Sequence, residues 1–379
     1  VRSSGDLGLH SLDDAERAAA AALPPEVRDF VAGGSGRETT LDANRAAFDA
    51  LFVVPRVLRD VSGCTTATTL LGRPAALPVA AAPVAYQRLV HPEGELAAVR
   101  AAAAAGVPFT ASTLSSVPLD ALTAVGGTVW FQLYWLRDER RTVELVRRAE
   151  DTGCAALMLT VDVPWMARRL RDVRNGFALP DGVRAAEVDT GGAAHHRAAG
   201  ASSVAAHTGQ AFSSGLTWAS VERLRALTRL PLVLKGVLAP EDARRAAEFG
   251  VDALVVSNHG GRQLDGAVPS IDALPAVADA AGPACEVLLD SGVRSGTDVL
   301  RALALGASGV LVGRPLVWGL AAAGEDGVRR VLDLLGGELR DALGLAGCHD
   351  PSDARGLRTV SRQQPHRPAP ERGLSNASA

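Results

Sequence analysis

The sequence predicts an α/β protein, a single (β/α)8 TIM barrel with an N-terminal helical extension and a long lid insertion after the fourth strand. Three observations carry the prediction. Eight short apolar or β-branched runs recur along the chain, most are separated by an amphipathic helical pattern closed by a glycine, and the runs are almost continuously apolar. Strands of that kind are buried on both faces, as in a parallel sheet covered by helices. Eight units of roughly 25 residues suit a closed barrel better than a doubly wound sheet. At 379 residues, one large domain of this type is admissible.

In order along the chain, residues 1–10 are expected to be a flexible N-terminus, and 11–350 the barrel domain. Ser11 and Asp14 make a Ser-x-x-Asp capping pattern ahead of an Ala-rich run; Pro24 and Pro25 interrupt it, and a second helix runs to Gly33-Gly34. The strands follow at 78–82, 107–111, 129–133, 155–161, 231–235, 251–256, 286–290 and 309–312. Helical patterns lie between them, for example 94–105, 139–152, 240–249 and 297–305. The one long gap contains a Gly/Ala/Ser/His-rich stretch with little apolar periodicity, read as a lid insertion over about 180–216. Within it His195 and His196 read as solvated, having no further ligand at metal spacing. From 351 to 379 the chain is Arg/Pro/Gln/Ser-rich, and a disordered tail is expected.

Composition excludes several classes. Lys+Arg 39 against Asp+Glu 42 leaves a formal charge of -3, so no broad basic surface exists for nucleic acid or anionic lipid. The four cysteines are scattered without a C-x-x-C, fitting neither a zinc site nor a disulfide framework, and a reduced cytoplasm is the expected home. No apolar run reaches the ~18 residues of a membrane span, and no signal-peptide h-region opens the chain.

Barrel enzymes build their sites at the C-terminal ends of the strands. Read there, the chain offers Pro83 with Tyr86, Ser112, Gln132 with Tyr134, Thr160 with Asp162, Lys235, Ser257-Asn258-His259, Asp290-Ser291-Gly292 and Gly313-Arg314. A Lys, a His and Asp residues that end apolar strands are costly placements unless paired, which marks a functional rim. The glycines and arginines of Asp290–Gly296 and Gly313–Pro315 suit a phosphate group, although glycines can also serve only as turn formers. His259 with Arg262 three residues on sets a base beside a cation that can grip a carboxylate, and Asp162 can support the imidazole. Lys235 could be a Schiff-base lysine, a phosphate ligand or a cation facing developing negative charge; the sequence does not choose. Arg169 offers a second carboxylate clamp beside Arg168, and Met158 and Trp165 read as packing, Trp165 also as a pocket wall.

The strings SNHGGRQLDG, LVLKGV, DSGVRSGTDVLRALALGASGVLVGRP, APVAYQRLVHPEGE, WFQLYW and LTVDVPWMARRLRDVRNGF resemble the FMN-dependent L-2-hydroxy acid oxidizing enzymes, the group of glycolate oxidase, lactate oxidase and mandelate dehydrogenase. The likeness covers about residues 11 to 350. Within the group, FQLYWLRDE, VDVPWM and RNGFALP are similar to the 4-hydroxymandelate oxidases of aryl-glycine antibiotic biosynthesis. The resemblance implies FMN as cofactor and His259 as the group that takes the substrate proton, with Asp162 supporting it when protonated. It implies Arg169 and Arg262 on the substrate carboxylate, Tyr134 on a substrate oxygen, and Lys235 tuning the flavin electrostatically. It further implies Pro83, Val84, Ala85, Ser112, Gln132, Thr160 and Ser257 around the isoalloxazine and ribityl parts. Asp290, Gly292, Arg294, Gly313 and Arg314 would take the ribityl hydroxyls and phosphate.

Three positions depart from the glycolate-type pattern. Phe30 stands where many members have a Tyr that contacts the carboxylate, Leu114 where glycolate-type members have a Trp, and Ser291 where glycolate oxidase has Gly. Leu114 leaves room for an aromatic substrate. The expectation is oxidation of (S)-4-hydroxymandelate, or mandelate, to the 2-oxo acid with O2 reduced to H2O2, by a homotetramer with no metal, membrane or nucleic-acid partner. Lactate or glycolate as substrate, a different electron acceptor, and a non-catalytic phosphate-binding barrel remain alternatives.

Overall fold

A computed structural model of the protein describes residues 7–188, 195 and 202–362. Eight parallel strands close a barrel: β1 (Val79–Ala81), β2 (Phe109–Ser112), β3 (Val129–Leu133), β4 (Ala156–Thr160), β5 (Leu232–Val237), β6 (Ala253–Val256), β7 (Glu286–Leu289) and β8 (Gly309–Val312). Each falls within or at the edge of a predicted run, because a strand with no solvent face carries its burial as local composition. Val310 pairs with Val79 across the closing seam. Side chains alternate across a strand, so every second residue points inward. Ala80, Trp130, Met158, Val233, Val255, Leu288 and Leu311 accordingly fill the barrel interior.

A hairpin that the sequence did not announce, Thr68–Leu70 with Arg73–Ala75, covers the N-terminal end of the barrel. Its Leu70 is fully buried within the interior cluster, a burial worth roughly 2 kcal/mol for a leucine. Gly309 makes room for it, since a Cβ there would stand 2.8 Å from Leu70 Cδ2.

The N-terminal extension folds as its capping pattern suggests. Ser11 Oγ accepts from Asp14 N–H at 3.2 Å, and the Asp14 carboxylate accepts from His10 N–H at 3.0 Å, starting the helix Leu12–Ala22. That helix buries Leu12, Ala15 and Ala19 and packs against the long helix Arg314–Ala346. The next helix, Pro25–Ala32, ends at the C-terminal mouth of the barrel.

Two expectations at the chain ends are corrected. Leu9, inside the stretch expected to be flexible, is buried, and its carbonyl accepts from Arg330 Nε at 2.8 Å. The tail does not become irregular at 351: Asp353–Gly356 forms a 3-10 turn, and Thr359–Ser361 pairs antiparallel with Leu51–Val53. A three-residue strand has no periodicity to read, and only its distant partner specifies it. Residues 363–379 lie outside the described residues, as do 1–6. In the insertion, Ser203–Ala211 is helical and Leu136 bridges to Phe212. His195, expected to be solvated, is half-buried with its Nδ1 3.1 Å from the Leu179 carbonyl, whereas His196 lies outside the described residues.

Candidate active site

Strand alternation decides what lies above the apolar interior. Two residues beyond Trp130, Met158, Val233, Val255, Leu288 and Leu311 come Gln132, Thr160, Lys235, Ser257, Asp290 and Gly313. The barrel is therefore capped by a polar layer in which the groups satisfy one another. Ser112 Oγ donates to Gln132 Oε1 at 3.1 Å, and Gln132 Nε2 donates to Thr160 Oγ1 at 2.9 Å. Lys235 Nζ lies 2.9 Å from Asp290 Oδ2 and donates to Ser257 Oγ at 3.1 Å, with side-chain exposures of 5% and 9% for the ion pair. Burial works to depress the Lys235 pKa, but Asp290 and Asp162 outweigh it and hold the ammonium above its usual value. Burial likewise pushes Asp290 upward, and Lys235 with the Ser257 and Ser291 hydroxyls pulls it below the usual carboxylate range. Both groups stay charged.

The loop after β6 carries His259 in a left-handed conformation, φ 60°. It is pinned from beneath by a reciprocal amide pair: Asn44 Nδ2 donates to Asn258 Oδ1 at 3.0 Å and Asn258 Nδ2 to Asn44 Oδ1 at 2.7 Å. Asn258 Oδ1 also accepts from Gly261 N–H. His259 Nδ1 lies 3.0 Å from Asp162 Oδ1. Because a carboxylate accepts, that nitrogen carries the proton and Nε2 keeps its lone pair. Gly236 allows the approach: its φ is 111°, and a Cβ there would sit 2.5 Å from Asp162 Cγ. Burial lowers the His259 pKa despite the opposing pull of Asp162, so the ring is a neutral base near pH 7.

Above the polar layer opens a cavity. Of the predicted site residues it is lined by Phe30, Pro83, Val84, Ala85, Ser112, Leu114, Tyr134, Arg169, Lys235, His259, Arg262, Asp290, Gly292, Arg294, Gly313 and Arg314. Gln132, Asp162 and Ser257 stand behind that wall, bonded to its members, and Thr160 stands behind it bonded to Gln132. Four arginines face the space, and among the described residues none of the four has a carboxylate within ion-pair distance. Arg294 lies over the Trp318 ring at 4.8 Å. Arg262 and Arg314 both donate to the Gly33 carbonyl at the C-terminal end of the Pro25–Ala32 helix, Arg262 also to Phe30 and Arg314 also to Val31. Helix C-terminal carbonyls favour cations, which fixes both guanidinium groups.

Burial without an anion has a consistent electrostatic signature. Burial and then Arg45 bring the Arg294 pKa down to about 10; burial, Arg294 and Arg169 bring Arg314 down to about 9. Arg262 is lowered well below its usual value by burial and by Arg169 and Arg314, and Arg169, 6% exposed with Nε unpartnered, is lowered by burial. Two anions would relieve this. One end, with Arg294, Arg314 and the N-terminus of the Arg314–Ala346 helix capped by Gly313, suits a phosphate. The other, with Arg169 and Arg262 beside His259, suits a carboxylate. This donor set fits a flavin mononucleotide, whose phosphate would take the arginine and helix N–H donors.

The substrate end has aromatic walls. Phe30 stacks on Phe177 at 4.4 Å while Arg169 and Arg262 stand 5.9 and 5.4 Å from its ring centre, so Phe30 supplies a cation–π surface where a tyrosine would add a hydroxyl. Tyr134 stacks on Phe212 at 4.3 Å; burial and Asp162 push its pKa up to about 12, keeping it a neutral donor. Trp165, expected as a pocket wall, is instead 64% exposed, and its neighbour Met166 lines the cavity. Arg168 is exposed whereas Arg169 is buried. Sequence reasoning missed Met166, Val204 and the Phe177 and Phe212 stacking partners, because these depend on how the long connection between β4 and β5 folds back. The loop bearing Met166 is held by Gln263, whose Nε2 donates to the Asp162 and Trp165 carbonyls.

The family model of FMN-dependent dehydrogenases matches residues 19–359. The chain is 63% identical to 4-hydroxymandelate oxidase of Amycolatopsis orientalis over 92% of its length and 98% of that protein's. It is 47% identical to L-lactate oxidase of Nostoc sp., covering 86% and 91%, and 41% identical to human 2-hydroxyacid oxidase 1, covering 90% and 94%. A solved structure of a mandelate oxidase with (S)-4-hydroxymandelic acid superposes with a TM-score of 0.92 at 62% identity, covering 93% of this chain and 99% of that one.

Proposed function

This chain belongs to the FMN-dependent dehydrogenase family and is an FMN-dependent 2-hydroxy acid oxidase, and on that premise we propose that its substrate is an aryl (S)-2-hydroxy acid, (S)-4-hydroxymandelate or mandelate. The products are the 2-oxo acid, 4-hydroxyphenylglyoxylate from the former, and hydrogen peroxide. The observation that carries the reading is the pair of buried arginines, Arg169 and Arg262, that have no anionic partner among the described residues and are set over an aromatic ring beside the His259–Asp162 pair. The 63% identity to a 4-hydroxymandelate oxidase supports the substrate, and a place in aryl-glycine biosynthesis rests on the sequence resemblance alone. Exposed Val57, Leu58 and Leu345 supply apolar surface for the homotetramer that the family resemblance suggests.

Bound FMN supplies the two-electron acceptor, which the protein's residues serve by orientation and charge. Arg169 and Arg262 bind the substrate carboxylate and fix the α-carbon. Tyr134 donates to a substrate oxygen. Neutral His259 takes the proton at Nε2, and Asp162 stabilises the imidazolium that results. Lys235, held charged by Asp290, places a fixed positive charge where negative charge develops. Arg294, Gly292, Gly313 and Arg314 would hold the phosphate end of the cofactor. The reaction balances as hydroxy acid plus O2 giving oxo acid plus H2O2.

The test is the visible spectrum of the holoenzyme, recorded anaerobically before and after (S)-4-hydroxymandelate and again after air is admitted. Bleaching that reverses in air is expected. Bleaching without return would replace O2 by another acceptor, and bleaching by lactate alone would overturn the aryl substrate.

A further inference from the structure

Arg169 differs from the other three cavity arginines in how it is held. Arg262 and Arg314 donate to carbonyls of the N-terminal extension and Arg294 to the Val293 carbonyl, whereas the Arg169 guanidinium bonds to no group among the described residues. Its position is therefore set by its backbone, at the N-terminal boundary of the helix Leu170–Asn175. Six residues are too few for a helix to hold itself in water, so contacts from outside must fix it.

Those contacts come from one stretch of the extension. Arg171 Nη2 lies 2.6 Å from Glu38 Oε2 and its Nη1 3.8 Å from Asp29 Oδ1, and Asn175 Nδ2 donates to Asp29 Oδ2 at 3.2 Å. Glu38 uses its other oxygen to accept from Gly34 N–H at 2.9 Å, which ties the ion pair to the turn whose Gly33 carbonyl holds Arg262. The backbone is joined there too, Gly36 N–H donating to the Arg168 carbonyl at 3.0 Å. Room for the arginine stem requires Gly33, where a Cβ would stand 3.2 Å from Arg171 Cδ. Glu38 itself is held at φ 66°, a left-handed conformation uncommon outside glycine that persists where surrounding structure enforces it. Burial pushes the Glu38 pKa up, but Arg171 and the Gly34 N–H outweigh it, so the pair is charged near pH 7.

We propose that the Glu38–Arg171 ion pair is a positioning device for substrate binding: it clamps the helix Leu170–Asn175 to the N-terminal extension and so holds Arg169 beside Arg262 over the Phe30 ring. This rests on the reading above that these two arginines bind the substrate carboxylate. The same helix carries Asp172, buried three residues on from Arg169, whose carboxyl oxygens have no hydrogen-bond partner among the described residues. Asp172 acts electrostatically on both arginines, and a helix free to shift would let it compete with the substrate for Arg169. At side-chain exposures of 37% and 19% the ion pair adds little to overall stability. Its effect is on where Arg169 stands, and a small misplacement of a substrate-positioning group is felt strongly.

The experiment is steady-state turnover of (S)-mandelate by FMN-loaded wild type, Glu38→Gln, Arg171→Met and Arg171→Lys, with phenylglyoxylate binding followed by the flavin spectrum. In the first two variants KM and the phenylglyoxylate Kd are expected to rise about five- to tenfold, with kcat within about twofold and flavin content unchanged. Arg171→Lys is expected to restore most of the loss. That split marks lost ground-state binding rather than lost chemistry. Unchanged KM and Kd, a fall in kcat alone, or equal damage in Arg171→Lys overturns the proposal, and loss of FMN would make the pair structural and overturn it too. Arg169→Met separates this proposal from the reading beneath it. If that variant binds phenylglyoxylate as wild type does, the carboxylate role of Arg169 fails and takes the clamp with it; if it loses affinity while Glu38→Gln and Arg171→Met do not, only the clamp fails. Should Glu38→Gln not fold, Arg171→Met carries the measurement, and should lactate alone bleach the flavin, lactate and pyruvate replace the aryl pair.

Discussion

Asp290→Asn tests the electrostatics of the floor in isolation, because it keeps shape and hydrogen-bonding capacity while deleting one charge. The Lys235–Asp290 contact is 2.9 Å with both side chains at least nine-tenths buried. Removing one partner of such a pair leaves a desolvated charge and costs about 3–5 kcal/mol. Asp162 also stabilises Lys235, so the low end, roughly 3 kcal/mol, is expected. At ~2 °C per kcal/mol for a large domain, the unfolding midpoint falls by about 6 °C. The pH dependence follows from the directions of the shifts. Asp290 is held below its usual 3.8, so its contribution is present above that value and is lost as pH falls through the folded pKa. Lys235 is held above its usual 10.5, so its contribution is complete below that value and is lost as pH rises through the folded pKa. In the variant the Asp290 contribution disappears and burial acts on Lys235 with Asp162 and Tyr134 opposing, so turnover loses its charged lysine at a lower alkaline pH. The assay is thermal unfolding and kcat against pH for both FMN-loaded proteins. An unmoved midpoint together with an unmoved alkaline limb would refute the claim that this pair maintains the cation.

Further outcomes are expected at the base and at the phosphate end. His259→Ala should lower turnover by at least about a hundredfold with flavin absorbance retained, and unchanged turnover would remove His259 from the mechanism; in wild type, since burial lowers the His259 pKa, the acid limb of kcat/KM lies below the ordinary 6.5, and Asp162→Asn, by deleting the largest opposing influence, should move it lower still. Gly260→Ala places a Cβ 2.8 Å from Arg314 Nη1 at φ 66°, adding about 1–2 kcal/mol of backbone strain and displacing a phosphate-end guanidinium, so flavin binding followed by fluorescence quenching should weaken; wild-type affinity would count against Arg314 as a phosphate ligand.

The legible part of the site has one physical origin. Barrel strands run from inside to rim with a period of two, so Lys235, Ser257 and Asp290 are placed by counting two residues from Val233, Val255 and Leu288. His259, Arg262, Arg294 and Arg314 are readable for a related reason, since each sits within a few residues of a strand end. Residues supplied by connections that return from elsewhere were not readable. Phe177 and Phe212 come from the long connection between β4 and β5, and the Gly33 carbonyl that orients two arginines comes from the N-terminal extension. The contrast between buried Arg169 and exposed Arg168 has no local cause, because the two are chemically identical neighbours.

The sequence by itself determined the barrel, the order of its strands and the chemical inventory of its rim, because burial on both faces and strand alternation are local properties written in composition and spacing. Only the tertiary structure decided which charges are paired and which are left facing the cavity: Lys235 meets Asp290, His259 meets Asp162, and Arg169, Arg262, Arg294 and Arg314 meet no carboxylate among the described residues. The same holds for the tail, where Thr359–Ser361 becomes a strand only against Leu51–Val53. Pairing is a distance in space between residues far apart in the chain, and no local pattern encodes it.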